Sequence, residues 1–332
     1  MSGERPDEFA IIERYFAPLA GEGAFGLRDD AALLRQSHYP VVITQDAHAE
    51  GVHFFSQDAP DLVARKAVRV NLSDLAAKGA VPTAISIALG LPDNWEESWI
   101  AEFARGLGED CHRYRISMTG GDTFRSPGGT VIAITALGEI RTGEYRSRLC
   151  ADDGDCLFVT GTIGDGALGL LARRAILGLE DAPEGLSQSQ LETLQSSYLL
   201  PNPPVHFAEV VAEFASASMD ISDGLAGDLE KLAVASGFDA EVNIDNVPLS
   251  EEVAALASDP ALLSAALTGG DDYQILFTVP PGNVGRMRNA AAKTGIEVRE
   301  VAEIHSGSGK VTFLDKDGEV MRLGSKSWNH FA

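Results

Sequence analysis

Two periods of apolar residues alternate along the chain. Short apolar runs predict strands: VVITQD from Val41, PTAISIALGL from Pro82, RISMTGG from Arg115 and GGTVIAITALGEI from Gly128. Between them, the segment from Asp61 to Lys78 and NWEESWIAEFARGLGEDCHRY from Asn94 repeat apolar residues at three- and four-residue spacing, which predicts helices. The pattern then dissolves into the polar, turn-rich TGEYRSRLCADDGD, after which CLFVTG opens a new strand. DAEVNI from Asp239 and YQILFTV from Tyr273 read as further strands, and an amphipathic helix is expected after Pro281. GKVTFLDKDGEVMRL predicts a terminal hairpin, its turn marked by Asp-Gly. Strands interleaved with helices in two halves predict a mixed α/β (α+β) chain of two domains, 1–148 and 149–332. The length of 332 residues, more than one core usually supports, agrees.

Composition narrows the function. With 49 Asp+Glu against 26 Lys+Arg the formal net charge is -23, which argues against a nucleic-acid partner. Small phosphates stay possible partners, because divalent cations neutralise them. A hydrophobic fraction of 45% and a mean hydropathy of -0.01 are ordinary for a globular protein, and no apolar run is long enough to span a membrane. The opening MSGERPDEFA has no apolar signal segment, and Cys111, Cys150 and Cys156 form no CxxC pair. A cytoplasmic protein with reduced thiols and no membrane partner is expected.

The acidic residues gather beside the predicted strands. Asp29 and Asp30 precede an apolar run; Thr44 and Asp46 end the first strand, followed by Glu50 and His53. Ser73 and Asp74 lie in the alanine-rich helix, and Asp122 follows Gly120 and Gly121 as the chain leaves a strand. In the second half, SMDISDGLAGDL holds Asp220, Ser222, Asp223 and Asp228, and TGGDDYQILF holds Asp271 before a strand. Each motif alone also reads as a turn, a helix cap or a solvated acid. Their collection at strand ends, where α/β proteins form ligand crevices, favours a site. Two carboxylates at 4 Å repel by about 4 kcal/mol at an effective dielectric near 20. Hard cations relieve that, and oxygen-only donors select Mg2+ or Ca2+. TGTIGDGALGLLARR matches neither GxGxxG nor GxxxxGK[ST], and neither HExxH nor GxSxG occurs. Asp228, a turn into the following helix, reads as an ordinary surface residue.

In this order, DDAALL at Asp29, EGVHF at Glu50, VNLSDLAAKGAVP at Val70, GGDTFR at Gly120, DISDGL at Asp220, GGDDYQILF at Gly269 and SWNHF at Ser327 resemble the thiamine-monophosphate kinase family. That family is part of the superfamily that includes aminoimidazole ribonucleotide synthetase. The resemblance implies the two-domain fold of that superfamily, with N-terminal strands forming a barrel across a homodimer. The N-terminal domain would bind metal and ATP and dimerise; the C-terminal one would complete the nucleotide and substrate site. The implied activity is transfer of the γ-phosphoryl group of ATP to thiamine monophosphate, giving thiamine diphosphate and ADP, with several Mg2+ ions bridging phosphates and no general base. By motif position, Asp30, Thr44, Asp46, Asp74, Asp122, Asp220 and Asp223 would bind Mg2+. Gly121, Asp122, Arg148 and Ser222 would contact ATP, with Arg146 the local competitor of Arg148. His53, Asp271 and Trp328 would contact thiamine monophosphate. The chain departs from the family pattern at Arg28 (usually Gly), Gln45 (Thr or Ser), Ala47 and His48 (Thr/Met-Leu) and Asp271 (Glu).

Three relatives are disfavoured: selenophosphate synthetase by the lack of a Cys before Cys111, the hydrogenase-maturation protein by the WNHFA ending, and aminoimidazole ribonucleotide synthetase by the terminal aromatic. A non-catalytic cation-binding protein lacks EF-hand spacing.

Overall fold

The structure, a computed structural model, describes residues 6–34 and 37–324. The chain divides into two compact units: 1–75 with 81–141, and 76–80 with 142–332.

The first unit opens with a short helix α1 (Glu8–Ile11), capped by Asp7, whose carboxylate accepts from the Ala10 amide at 2.8 Å. It continues as β1 (Val41–Ala49), α2 (Pro60–Ala77), β2 (Val81–Leu91), α3 (Glu97–Tyr114), β3 (Ser117–Arg125) and β4 (Val131–Glu139). The sheet order is β1-β4-β2-β3, antiparallel except for the β2–β3 pair. α2 and α3 cover one face. Ala64 and Ala67 of α2 are fully buried, as are Phe103 and Leu107 of α3 and Ile85, Ile132 and Ile134 of the sheet, whereas Ala76 and Ala77 at the end of α2 belong to the second unit's core. On edge strand β1 the residues alternate, and Val41 and Ile43 on the other face are exposed.

The second unit contains β5 (Cys156–Thr160), α4 (Asp165–Ile176), α5 (Gln188–Leu199), α6 (Ala208–Phe214), β6 (Ser218–Ile221), α7 (Leu225–Ser236), β7 (Phe238–Asn243), α8 (Glu251–Leu256), α9 (Pro260–Thr268), β8 (Gln274–Val279), α10 (Val284–Thr294), β9 (Val298–Ser306) and β10 (Val311–Leu314). Its six-stranded sheet runs β10-β7-β9-β5-β8-β6. Both faces are covered, which explains why β5 and β8 read as continuous apolar runs. Leu157, Val159 and Leu276 enter one core with α7, while Phe158, Ile275 and Phe277 enter the other with α6 and α10.

Three expectations need correction. Thr44 and Asp46 sit in the middle of β1, because pairing with β4 carries the strand on to Ala49 opposite Val131. Asp122 likewise lies within β3, paired with Ala88 of β2. The terminal hairpin is reduced to a single bridge between Leu314 and Val320. β10 instead pairs in parallel with β7.

Candidate active site

In the first unit the sheet register sorts the predicted residues into two groups. Asp46 is level with Ile134, Ile87 and Gly121, whereas Ala47 is level with Ala133, Ala88 and Asp122. Side chains in register share a face and neighbours along a strand alternate. Thr44 and Asp46 therefore face α2, and Asp122 stands on the opposite face with Gln45.

The α2 group is tied by hydrogen bonds. Thr44 Oγ1 donates to Asp74 Oδ2 at 2.5 Å, and the Asp46 amide donates to Asn71 Oδ1 at 3.1 Å. Asn71, fully buried, is held by its own donation to the Ala67 carbonyl at 3.0 Å. The other group lines a cleft of about 470 Å3, where Asp30 meets Gly120, Gly121, Asp122 and Gln45. Gly121 is required there: a Cβ would meet the Ile87 carbonyl oxygen at 2.0 Å.

His53 follows β1, and its Nδ1 accepts from the Ala49 amide at 3.1 Å. That contact places the ring proton of neutral His53 on Nε2. His48 packs edge-on against it, with centroids 5.3 Å apart. Burial, then the neighbouring His53 and Lys66, push the His48 imidazole down to about 3, so it stays neutral.

In the second unit three loops pack backbone against backbone. The Asp271 amide donates to the Ser222 carbonyl at 3.0 Å and the Tyr273 amide to that of Ile221 at 2.8 Å. A Cβ on Gly270 would lie 2.1 Å from the Ser222 oxygen, and one on Gly166 would lie 2.3 Å from the Asp271 carbonyl carbon. Asp220 at the end of β6, Ser222, Asp223 and Asp271 are thereby brought to one end of the sheet. Asp271 (φ 73) and Tyr273 (φ 51) both adopt left-handed backbone, a strain that concentrates at functional loops. The Tyr273 hydroxyl donates to Asp271 Oδ1 at 2.9 Å and orients it.

Asp228 is not the surface residue its sequence position suggested. It is 0% exposed, and Oδ2 accepts from the amides of Ser222 (3.0 Å) and Asp223 (2.9 Å) while Oδ1 accepts from Lys231 at 2.8 Å. Burial pushes its carboxyl up against the pull of Lys231. Lys231 also bonds Asp223 Oδ2 at 2.5 Å.

Sequence reading also passed over Asp272. It accepts from the Gly164 amide at 2.8 Å and the Gly166 amide at 2.9 Å, joining the TGTIGDG loop to the GGDD loop. Burial pushes its carboxyl up to about 8, outweighing those two donors, with Asp165 and Asp271 adding like charge. Asp272 therefore takes up a proton on folding between the ordinary carboxylate range and about pH 8, and stability falls as pH rises through that window. The decline is expected to reach about 1.4 kcal/mol per pH unit. Asp272→Asn should flatten this part of the slope in urea melts from about pH 5 to 8. A variant that keeps the wild-type slope would refute it.

Arg146 donates through Nε and Nη2 to the Ala212 carbonyl at 3.0 and 2.6 Å, while Arg148 is exposed. Trp328 and the closing SWNHF lie outside the described residues. Among the described residues, no three His, Cys, Asp or Glu side chains are grouped so as to hold a metal ion, and no helix is long and apolar enough to cross a membrane.

The N-terminal domain model of AIR synthase related protein matches residues 28–140, and its C-terminal domain model matches 152–315. A curated thiamine-monophosphate kinase of Caulobacter vibrioides is 39% identical over 98% of this chain and 91% of its own length. The chain belongs to the thiamine-monophosphate kinase family. A second member, from Salmonella typhimurium, is 33% identical over 98% of both chains. Among solved structures, the family's enzyme from Stenotrophomonas maltophilia superposes with a TM-score of 0.78 at 33% identity, covering 88% of this chain and 90% of that one. AaThiL complexed with AMPPCP and TMP superposes with a TM-score of 0.75 at 30% identity, covering 93% and 97%.

Proposed function

We propose that this chain transfers the γ-phosphoryl group of ATP to the phosphate of thiamine monophosphate, giving thiamine diphosphate and ADP. The observation that carries the reading is the likeness to AaThiL, which holds AMPPCP, a methylene analogue of ATP, together with TMP. The acceptor, a phosphate monoester with a second pKa of about 6, is largely dianionic at neutral pH and needs no general base.

The donor set suits Mg2+. Asp30, Thr44, Asp46, Asp74, Asp122, Asp220 and Asp223 offer only oxygen, and one or two carboxylates per ion is the share Mg2+ takes when water and phosphate complete its shell. Bound there, Mg2+ would supply neutralisation of the charge on donor and acceptor phosphates. The chain's own residues do the positioning. Asp74 holds the Thr44 hydroxyl, Asn71 holds the Asp46 backbone amide, and Gly121 is assigned to the nucleotide phosphates through its backbone. Ser222 stands on a loop whose carbonyl is held by Asp271. Arg148 is assigned to the nucleotide, since the guanidinium of Arg146 is engaged by Ala212. His53, with its Nε2 proton, is assigned to the substrate phosphate, and Asp271 and Trp328 to the thiamine moiety.

The domain limits 1–148 and 149–332, with metal and ATP binding assigned to the first and the substrate site completed by the second, are part of this reading. So is a homodimer joined by a barrel of N-terminal strands. The uncharged face of β1, with Ile43 66% exposed on an edge strand, supports that arrangement.

Incubating the protein with ATP, Mg2+ and thiamine monophosphate should yield thiamine diphosphate and ADP in equal amounts, read by chromatography. ADP without the diphosphate, or no turnover, would refute the assignment.

A further inference from the structure

The loop between β6 and α7 is met by a cation from α7. Gly224, at φ 105, turns the chain sharply after Asp223, and α7 starts at the next residue. Asp228 in its first turn reaches back to the loop and is saturated: Oδ2 takes two backbone amides and Oδ1 takes Lys231. With both oxygens engaged at full burial, it serves to position and not to ligate. Lys231, on the same helix, bridges the buried Asp228 to the half-open Asp223.

We propose that Lys231 is a resident counter-ion of Asp223: its ammonium occupies this carboxylate until a divalent cation takes it, and Asp228 retains the ammonium beside the site afterwards. The proposal rests on the reading that Asp223 holds Mg2+. Three features support it. The Lys231 and Asp223 side chains are 40% and 34% exposed, so the exchange needs no repacking of the core. A lysine stem is flexible and its head is a point charge with three donors, able to leave one acceptor while keeping another. Because the 2.8 Å bond to Asp228 persists, displacement leaves no buried charge unpaired. The device keeps the Ser222–Asp223 loop neutralised before nucleotide and metal arrive, in a chain with a formal charge of -23. It does so at the expense of some cation affinity.

The competition is that of one partly exposed ion pair, so its removal should lower the Mg2+ concentration that half-saturates AMPPCP binding by about two- to fivefold. The experiment titrates Mg2+ into protein with AMPPCP and reads nucleotide binding by calorimetry for wild type, Lys231→Met and Lys231→Arg. The proposal expects Lys231→Met to need less Mg2+, and Lys231→Arg, which keeps the charge, to remain near wild type. An unchanged or higher Mg2+ requirement in Lys231→Met, or equal shifts in both variants, overturns it while leaving the proposed function standing. Wild-type binding indifferent to Mg2+ would overturn both readings together.

Discussion

Asp122→Asn and Asp220→Asn are each expected to lower turnover by more than about a hundredfold while leaving the fold intact. Partners one shell removed from a metal already cost about 10–100-fold when lost, and a direct oxygen donor is worth more. Phosphoryl transfer offers the protein no covalent detour that could compensate, since its catalysis is positioning and charge stabilisation. Asn preserves the volume of the side chain and removes its charge. At Asp122, exposed on edge strand β3, the change should move stability by about 0.5 kcal/mol at most. At Asp220, which is buried, a neutral amide is less costly to bury than a carboxylate. The two variants also probe the two units separately. Single-turnover rates with ATP, Mg2+ and thiamine monophosphate, beside melting temperatures, separate catalysis from folding. Near-wild-type rates in either variant would remove that residue from the metal set.

The elements legible in the sequence were those whose burial leaves a continuous apolar or small-residue run, as in α2, β5 and β8. α2 was expected from Asp61 to Lys78 and spans Pro60–Ala77; from Lys66 to Ala77 every residue but Asp74 is buried, which is why its apolar and small residues run so continuously. β1 was read three residues short. Past Asp46 the sequence AHA carries little apolar signal, and the strand is continued by pairing with β4. β9 was not read at all, since VREVAEIHS is crowded with charges and its buried positions, Val301 and Ile304, break simple alternation. The site was legible as a set of motifs and illegible as a geometry. Alternation within β1 and β3 cannot reveal that Asp46 and Asp122 occupy opposite faces, because that depends on register across two intervening strands. Asp228 was misread because a residue five or six positions after the amides it accepts looks solvated until the Gly224 turn folds α7 back. Asp272 was missed for a similar reason: its partners, Gly164 and Gly166, lie more than a hundred residues away.

The largest loss of stability is expected from a residue that touches no ligand. Asp110→Ala should destabilise the protein by about 3–5 kcal/mol. Asp110 on α3 is 0% exposed and takes a two-pronged contact from Arg69 on α2, Nε to Oδ2 at 2.7 Å and Nη2 to Oδ1 at 3.1 Å, with Arg65 Nε adding a third bond at 3.2 Å. Arg69 is itself 2% exposed, so removing the carboxylate takes its two-pronged anionic acceptor from a buried guanidinium. The cost comes from that loss of charge compensation, since the desolvation penalty offsets much of the attraction in the intact pair. It follows that Arg69→Met with Asp110→Leu, which removes both charges, should recover most of the loss, whereas additive damage would mean that packing alone matters there. Denaturant melts should show a lower midpoint at unchanged slope in Asp110→Ala. The consequence reaches the site because α2 carries Asn71 and Asp74 two and five residues beyond Arg69, and these hold the Asp46 amide and the Thr44 hydroxyl of β1. Anchoring α2 to α3 by a buried ion pair fixes the helix from which those two strand residues are oriented. A loss below about 1 kcal/mol, the scale of an exposed pair, would show that water reaches the ion pair and that the anchor is weaker than its geometry implies.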